Sequence, residues 1–415
     1  MNSKTLDNLK DFISKYLPFI LTIALFLLLL PLSMKINFMQ NDDWYYYREV
    51  QNFKQLNFTM DKDIAPTFYL QGILGVIFTF FFSLTRLPIL TLLVSSLNFL
   101  VTYLILTKHF TKSKILAILL SVIVFANPLH GYAVWSFMTE NYFLLFVLAG
   151  TYTFLEFLED RRSVILSNII FLLSFFVRQL GLVYFLASAF YFLFRLRFRK
   201  FFTQVVWFSG LFLFYQFIFP QTTEMTAKGL KFSRLTNFNY SFSLVYGVLI
   251  YLIAFTLPLI LYLLVKYLIH IRGKYLKIIL FAGLSIGFYF FAKNNFEPNL
   301  ISWAEFPYFE NTFERTGFYP RSLHGTKYQF KGIYDLYYYW DLASKVLAAG
   351  FFGFIALNLY KLYKKRSLYF LGFIAVYLGV SVAAPTFFDR YIIGLVPVFI
   401  FFVLGIGVDY IKRPL

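Results

Sequence analysis

Long apolar runs alternate with short polar segments along the whole chain, and the runs have the length of membrane crossings. Twelve read as spans: 17–34, 88–107, 115–129, 141–158, 164–177, 179–194, 201–219, 241–265, 278–292, 342–360, 368–384 and 391–408. Each approaches the ~20 apolar residues that a helix needs to cross a bilayer core of about 30 Å. Inside lipid every backbone N–H and C=O must be paired within the protein, so only helices or a closed barrel can cross. Uninterrupted runs such as Phe19 to Leu30 select helices. The expected fold class is therefore all-α, a polytopic transmembrane helical protein of about 12 spans. The first run is too long, and too lacking in a small-residue cleavage site, for a removed secretory signal, and is expected to stay as a span.

One apolar stretch, 68–84, decides the orientation of everything after it. If it does not cross, the basic clusters Lys4/Lys10/Lys15, Lys108/Lys112/Lys114, Arg161/Arg162 and Arg195/Arg197/Arg199/Lys200 share one side of the membrane. The later clusters Lys266/Arg272/Lys274/Lys277, Lys361/Lys364/Lys365/Arg366 and Lys412/Arg413 join them. If it crosses, every cluster after it moves to the outside. Loops rich in Lys and Arg stay in the cytoplasm, so 68–84 is expected to form a hairpin or interfacial helix that dips into the outer leaflet, with the N-terminus cytoplasmic. Four segments then lie outside: 35–87, 130–140, 221–240 and 293–339. No internal repeat or linker sets off a soluble domain. The organisation expected is a catalytic transmembrane module over 1–200, with external loop 35–87, followed by further helices over 201–415, with external loops 221–240 and 293–339.

Composition agrees: 60% of residues are hydrophobic, 14% are charged and the mean hydropathy is +0.68, well outside the range of soluble domains. The net charge of +18 sits in short loops between spans, which makes it an orientation signal and argues against a nucleic-acid partner. There is no cysteine, which excludes disulfides and thiolate-bound metals. His109, His130, His270 and His324 lie far apart without a metal-ligand spacing, so no metal site is assigned. Carboxylates are then the ligands left for a divalent cation. Richness in Lys, Asn, Ile, Phe and Tyr points to an AT-rich bacterial genome, and so to a bacterial cytoplasmic (inner) membrane.

The sharpest local feature is Asn41-Asp42-Asp43-Trp44-Tyr45-Tyr46-Tyr47-Arg48-Glu49, which opens the first external loop. Paired carboxylates at a membrane surface raise one another's pKa, and such a group can act as a general base near neutral pH. A solvated acidic loop that orients the first span is the plainer alternative. Arg86 and Arg178 fall at the outer ends of apolar segments, where a guanidinium can grip a phosphate bidentately. Alternatively, each snorkels to headgroups or pairs with a loop carboxylate.

The order of features around Asp42, Asp43 and Tyr46 resembles the GT-C superfamily of integral membrane glycosyltransferases, in its branch of protein O-mannosyltransferases and aminoarabinose transferases. The matching features are the acidic pair after the first span and the turn Ala65-Pro66-Thr67-Phe68-Tyr69 before an apolar external helix. They continue with Arg86 opening the next span, Glu140 in Met138-Thr139-Glu140-Asn141, and a closing Arg390, Tyr391 and Pro397. The turn lacks the family's His and one Pro, and Glu140 stands where many members carry Asp. The resemblance implies transfer of a sugar, with inversion, from a polyprenyl-phosphate-linked donor to a glycan, lipid or protein acceptor on the external face. It makes Asp42 the base and Asp43 and Glu140 supporting carboxylates. Arg86, Arg178, Tyr46 and Arg390 become substrate-binding residues, although an internal tie from Asp389 to Arg390 accounts for Arg390 without a ligand. Two other functions compete, an O-antigen-type polysaccharide polymerase or ligase and a transporter of lipid-linked substrates. The aromatic segment 293–339 reads mainly as an interfacial belt, part of which covers the site.

The charge pattern makes a direct prediction about topology. In this cysteine-free chain, a cysteine replacing Arg197 stays unlabelled by a membrane-impermeant maleimide applied to intact cells and becomes labelled once the membrane is opened.

Overall fold

A computed structural model describes residues 3–35, 43–60, 64–218, 233–295, 334–384 and 389–411, and every regular element among them is helical. Among the described residues, seven helices are long and apolar enough to cross a membrane: Tyr16–Lys35, Leu84–Phe110, Thr139–Leu158, Phe238–Phe255, Tyr275–Asn295, Arg366–Ala383 and Arg390–Gly407. Other runs fold as shorter apolar helices, including Lys114–Phe125 and Val164–Phe175. The run at 241–265 is two helices rather than one. Pro258 lacks an N–H and its ring crowds the preceding turn, so the helix ending at Phe255 stops and a new one starts at Leu257.

The chain divides into two compact units, Met1–Ala126 with His130–Gly181, and Asn127–Leu129 with Leu182–Leu415. The first contains α1 (Ser3–Lys35), α2 (Asp43–Lys54), α3 (Tyr69–Phe78), α4 (Leu87–Ile105), α5 (Lys114–Phe125), most of α6 (Pro128–Val134), α7 (Thr139–Leu158) and α8 (Val164–Phe175).

Helices α4 and α7 form the centre of this unit. The α4 face is lined by Thr91, Ser95, Ser96, Asn98 and Thr102, all fully buried, and residues this small let two helix backbones approach closely. Asn98 Nδ2 donates to the Asn141 carbonyl at 3.0 Å, Asn141 Nδ2 donates to Ser95 Oγ at 2.9 Å, and Thr91 Oγ1 lies 3.1 Å from the Tyr142 hydroxyl. These bonds replace the water that a membrane interior cannot supply. Against the other side of α7, Gly150 leaves its backbone bare to the Phe171 ring of α8, and a Cβ there would sit 2.4 Å from a ring carbon.

Within the 68–84 stretch, α3 has ten residues, which rise about 15 Å, half the thickness of a bilayer core. The helix is too short to cross. Beyond it Phe80, Phe81 and Phe82, all exposed, lead into the turn before α4. Its start is pinned by the Leu70 N–H donating to the Phe176 carbonyl at 3.0 Å. Arg86, at the entry to α4, donates to the Met34 carbonyl in the last turn of α1, where the helix dipole is negative and carbonyls lack partners.

The second unit contains α9 (Leu182–Phe194), α10 (Phe198–Leu213), α11 (Phe238–Phe255), α12 (Leu257–Ile271), α13 (Tyr275–Asn295), α14 (Tyr334–Leu357), α15 (Lys365–Ala383) and α16 (Leu395–Ile411). Its cations also serve helix ends. Arg234 donates to the Ala384 carbonyl at 2.6 Å, just beyond α15, and Arg195 donates to the Tyr363 carbonyl at 2.7 Å. Lys361 is buried with its ammonium 3.7 Å from the Tyr410 ring centroid, and Asp409 accepts from Lys364 at 2.7 Å.

Close packing at Gly150 is directly testable. Gly150→Ala is expected to lower the thermal stability of the detergent-solubilised protein by about 1–3 kcal/mol through overpacking. Adding Phe171→Leu should restore part of that loss, because it removes the ring that the new methyl meets.

Candidate functional site

Helix α2 opens at Asp43, and Asp43, Tyr46, Tyr47, Val50 and Phe53 all turn inward at helical spacing. Trp44, Arg48 and Gln51 between them face out, with the Arg48 guanidinium 5.6 Å from the Trp44 ring centroid. Asp43 is 1% exposed, and its Oδ1 accepts the Phe137 N–H at 3.2 Å. The carbonyl of the same residue accepts from Gln71 Nε2 of α3 at 2.9 Å. Phe137 is thus held at both its backbone groups, by side chains from two helices far away in sequence.

The clamped residue stands directly before the start of α7. Its ring packs against Tyr142 at 5.6 Å, Phe68 at 6.0 Å and Tyr47 at 6.2 Å between centroids. Met138, the N-cap of α7, offers no side-chain bond to the first turn, where unpaired N–H groups and a positive dipole collect. Carboxylates from Asp43 and Glu140 stand at this end and complement that charge. Burial pushes the Tyr47 phenol well above its ordinary range, and the Asp43 charge adds to the effect, so Tyr47 stays protonated.

Glu140 lies in the first turn of α7 and is 3% exposed. Its Oε1 accepts from Arg178 Nη1 at 2.8 Å, and Arg178 is 8% exposed. Arg178 reaches it from a tight turn after α8: its N–H donates to the Ser174 carbonyl, and its own carbonyl accepts from Gly181, both at 2.9 Å. Only glycine fits at 181, because a Cβ would lie 2.4 Å from the Phe175 backbone nitrogen. A buried ion pair of this kind is costly to assemble and more costly to break.

The structure therefore gathers Asp43, Glu140 and Arg178 around the start of α7. Of the other residues expected from the sequence, Asp42 lies outside the described residues. Tyr46 is buried with its ring 4.8 Å from Phe68. Arg86 is half-buried and engaged with the end of α1. Arg390 is buried in the second unit, beside a turn whose Tyr391 carbonyl accepts from the Tyr377 hydroxyl at 2.6 Å. Arg178 takes the carboxylate partner that the sequence reading offered as its alternative. Segment 293–339 falls largely outside the described residues, as does most of 221–240.

Three further buried polar residues went unread in the sequence. Gln71 is the polar exception in an otherwise apolar helix, which is the signal that could have found it. Glu49 is 1% exposed on the inner side of α2, with Asn52 Nδ2 at 3.4 Å from its Oε2. His130 Nδ1 donates to the Phe125 carbonyl at 2.9 Å. Burial lowers its pKa to about 4, which keeps the ring neutral at physiological pH, so that Nδ1 carries the proton and is the donor.

Chemically, the arrangement offers a buried carboxylate fixed at a helix N-terminus and a guanidinium–carboxylate pair one turn away. Fold and site together define an all-helical protein of the lipid bilayer with an acid–base cluster at one end of a helix pair. No protein-family model, curated protein or solved structure matches the chain.

The ion pair gives a paired test. Arg178→Met alone should destabilise the protein by about 3–5 kcal/mol, because Glu140 is left as an uncompensated buried charge. Adding Glu140→Gln should recover most of that loss in thermal unfolding, whereas recovery would be absent if the two side chains did not interact.

Proposed function

We propose that the protein is a GT-C-type membrane glycosyltransferase that moves a sugar from a polyprenyl-phosphate carrier to an acceptor hydroxyl at the external face of a bacterial inner membrane. In this reading the N-terminus is cytoplasmic, and the shorter apolar helices complete a set of about twelve spans around the seven long ones. The acceptor is a glycan, a lipid or a protein side chain; all three present the hydroxyl that the chemistry requires.

One observation carries the reading: Asp43, Glu140 and Arg178 converge on the first turn of α7, from α2, from α7 itself and from the turn after α8. In the reaction the acceptor oxygen attacks the anomeric carbon from the face opposite the phosphate. The bond from that carbon to the phosphate oxygen breaks, and its electron pair leaves with the carrier phosphate. A carboxylate of the Asp42–Asp43 pair takes the hydroxyl proton as the new glycosidic bond forms, and the configuration inverts. The growing charge on the phosphate needs a fixed cation, and Arg178 is held for that task by Glu140 and the Gly181 turn. Burial of these groups strengthens each electrostatic contact by lowering the local dielectric.

The test is to incubate purified protein with a panel of polyprenyl-phosphate sugars and measure release of carrier phosphate. Replacing Asp42 and Asp43 together with Ala should lower the rate at least about 100-fold, the lower end of what a positioned base contributes. Full activity in that double variant would rule out the assignment, and movement of a lipid-linked substrate without sugar transfer would favour a transporter.

A further inference from the structure

Charge also collects at the opposite end of α7, sixteen residues or about 24 Å along the helix from Glu140. There Glu156 and Glu159, three residues apart, lie on one face of the last turn. Facing them is His109, on the widened turn Leu106–Phe110 that ends α4, where the Thr111 N–H reaches back five residues to the Leu106 carbonyl at 2.9 Å. Widened turns of this type recur at functional sites because they push one side chain out of helical register. Here the displaced residue is a histidine whose side chain is 0% exposed.

We propose that His109, Glu156 and Glu159 form a binding site for a divalent first-row transition-metal ion of the Zn2+ type. His109 Nε2 lies 3.5 Å from Glu156 Oε1, close to the separation of about 3.4 Å between two ligands that each stand 2.0–2.1 Å from a tetrahedral zinc. His109 Nδ1 lies 2.8 Å from Glu159 Oε1. With a metal on Nε2, that contact holds the proton on Nδ1 and keeps the ring turned toward Glu156, the outer carboxylate support that metal-binding histidines characteristically have. Glu156 is buried, and its Oε1 accepts no hydrogen bond. The gap between this nitrogen and the buried carboxylate oxygen favours a positive charge, which a metal ion or a proton on Nε2 can supply. One donor atom from each of the three residues falls within a 4.8 Å set; His109 Nε2 and Glu156 Oε1 are the direct ligands, water completes the shell, and Glu159 stays on Nδ1 as the outer support. A histidine nitrogen beside a carboxylate oxygen suits zinc and its neighbours better than calcium or magnesium, which take all-oxygen shells.

Three cations stand nearby and set the affinity. Lys108 Nζ holds the other oxygen of Glu156 at 2.9 Å and leaves Oε1 to the metal. Arg161 approaches Glu156 at 3.7 Å and Glu159 at 3.4 Å, and Arg162 approaches Glu156 at 3.9 Å. Both arginines are about half exposed and can swing to solvent when a metal arrives. They compete for the same carboxylates, so binding is moderate and grows stronger when Arg161 is removed.

The experiment uses the full chain in detergent at pH 7.5, stripped with chelator and titrated with Zn2+ against a competing zinc indicator. Wild type should bind one equivalent saturably. His109→Gln, which keeps an N–H for Glu159, and Glu156→Gln should each weaken that site at least tenfold while melting like wild type before metal is added. Arg161→Ala should tighten it several-fold. Absence of saturable binding, or an affinity unchanged in both His109→Gln and Glu156→Gln, would overturn the proposal and leave the cluster as a plain ion-pair network.

Discussion

A membrane interior supplies no water, so the buried polar groups of this protein depend on the chain itself for their partners. That requirement explains where the polar residues are. On α4 and α7 they pair across the helix seam, through Asn98, Asn141, Ser95, Thr91 and Tyr142. At helix ends arginines take the same role, as Arg86 does for α1 and Arg234 does beyond α15. The strongest concentrations of charge stand at the two ends of α7, where the helix dipole and the unpaired backbone groups are found.

The two ends of α7 differ in kind. At its start the unpaired groups are N–H donors, and the side chains brought there are acids, Asp43 and Glu140, with one guanidinium to balance them. At its end the exposed groups are carbonyls, and the bases Lys108, Arg161 and Arg162 gather there around Glu156 and Glu159. The surplus of acids at the start and of bases at the end follows the helix dipole, and it gives one helix two chemically distinct termini. Within the first unit, α2 and α3 serve the start of α7 and the widened turn of α4 serves its end.

Much of the fold was legible because apolar run length is a strong signal. The all-helical class and the helices at Thr139–Leu158 and Arg366–Ala383 follow from hydropathy, whereas the shortness of the helix within 68–84 is visible only in the structure. The break at Thr256 was not read, although Pro258 marks it, because the apolar pattern continues across it. Asp43, Glu140 and Arg178 were singled out individually. The pairing of Glu140 with Arg178 spans 38 residues and the bond from Asp43 to Phe137 spans 94, and no local pattern encodes such separations. The same blindness hid His109, whose carboxylate partners are some 50 residues away. Arg86 was placed correctly at the head of a span, but its bond to the Met34 carbonyl depends on how α1 ends beside it.

The bare backbone at Gly150 also acts as a gauge of helix height. Helices α7 and α8 run antiparallel, and the Phe171 ring seated on Gly150 is the lower rung of a ladder whose upper rung is Arg178 on Glu140. Sliding α8 by one turn would shift it about 5.4 Å, nearly twice the 2.8 Å length of the upper contact. A missing side chain deep in the bundle thus sets the alignment of two charges some ten residues away, and any neighbour bulkier than hydrogen at that notch would be felt as a misplaced guanidinium.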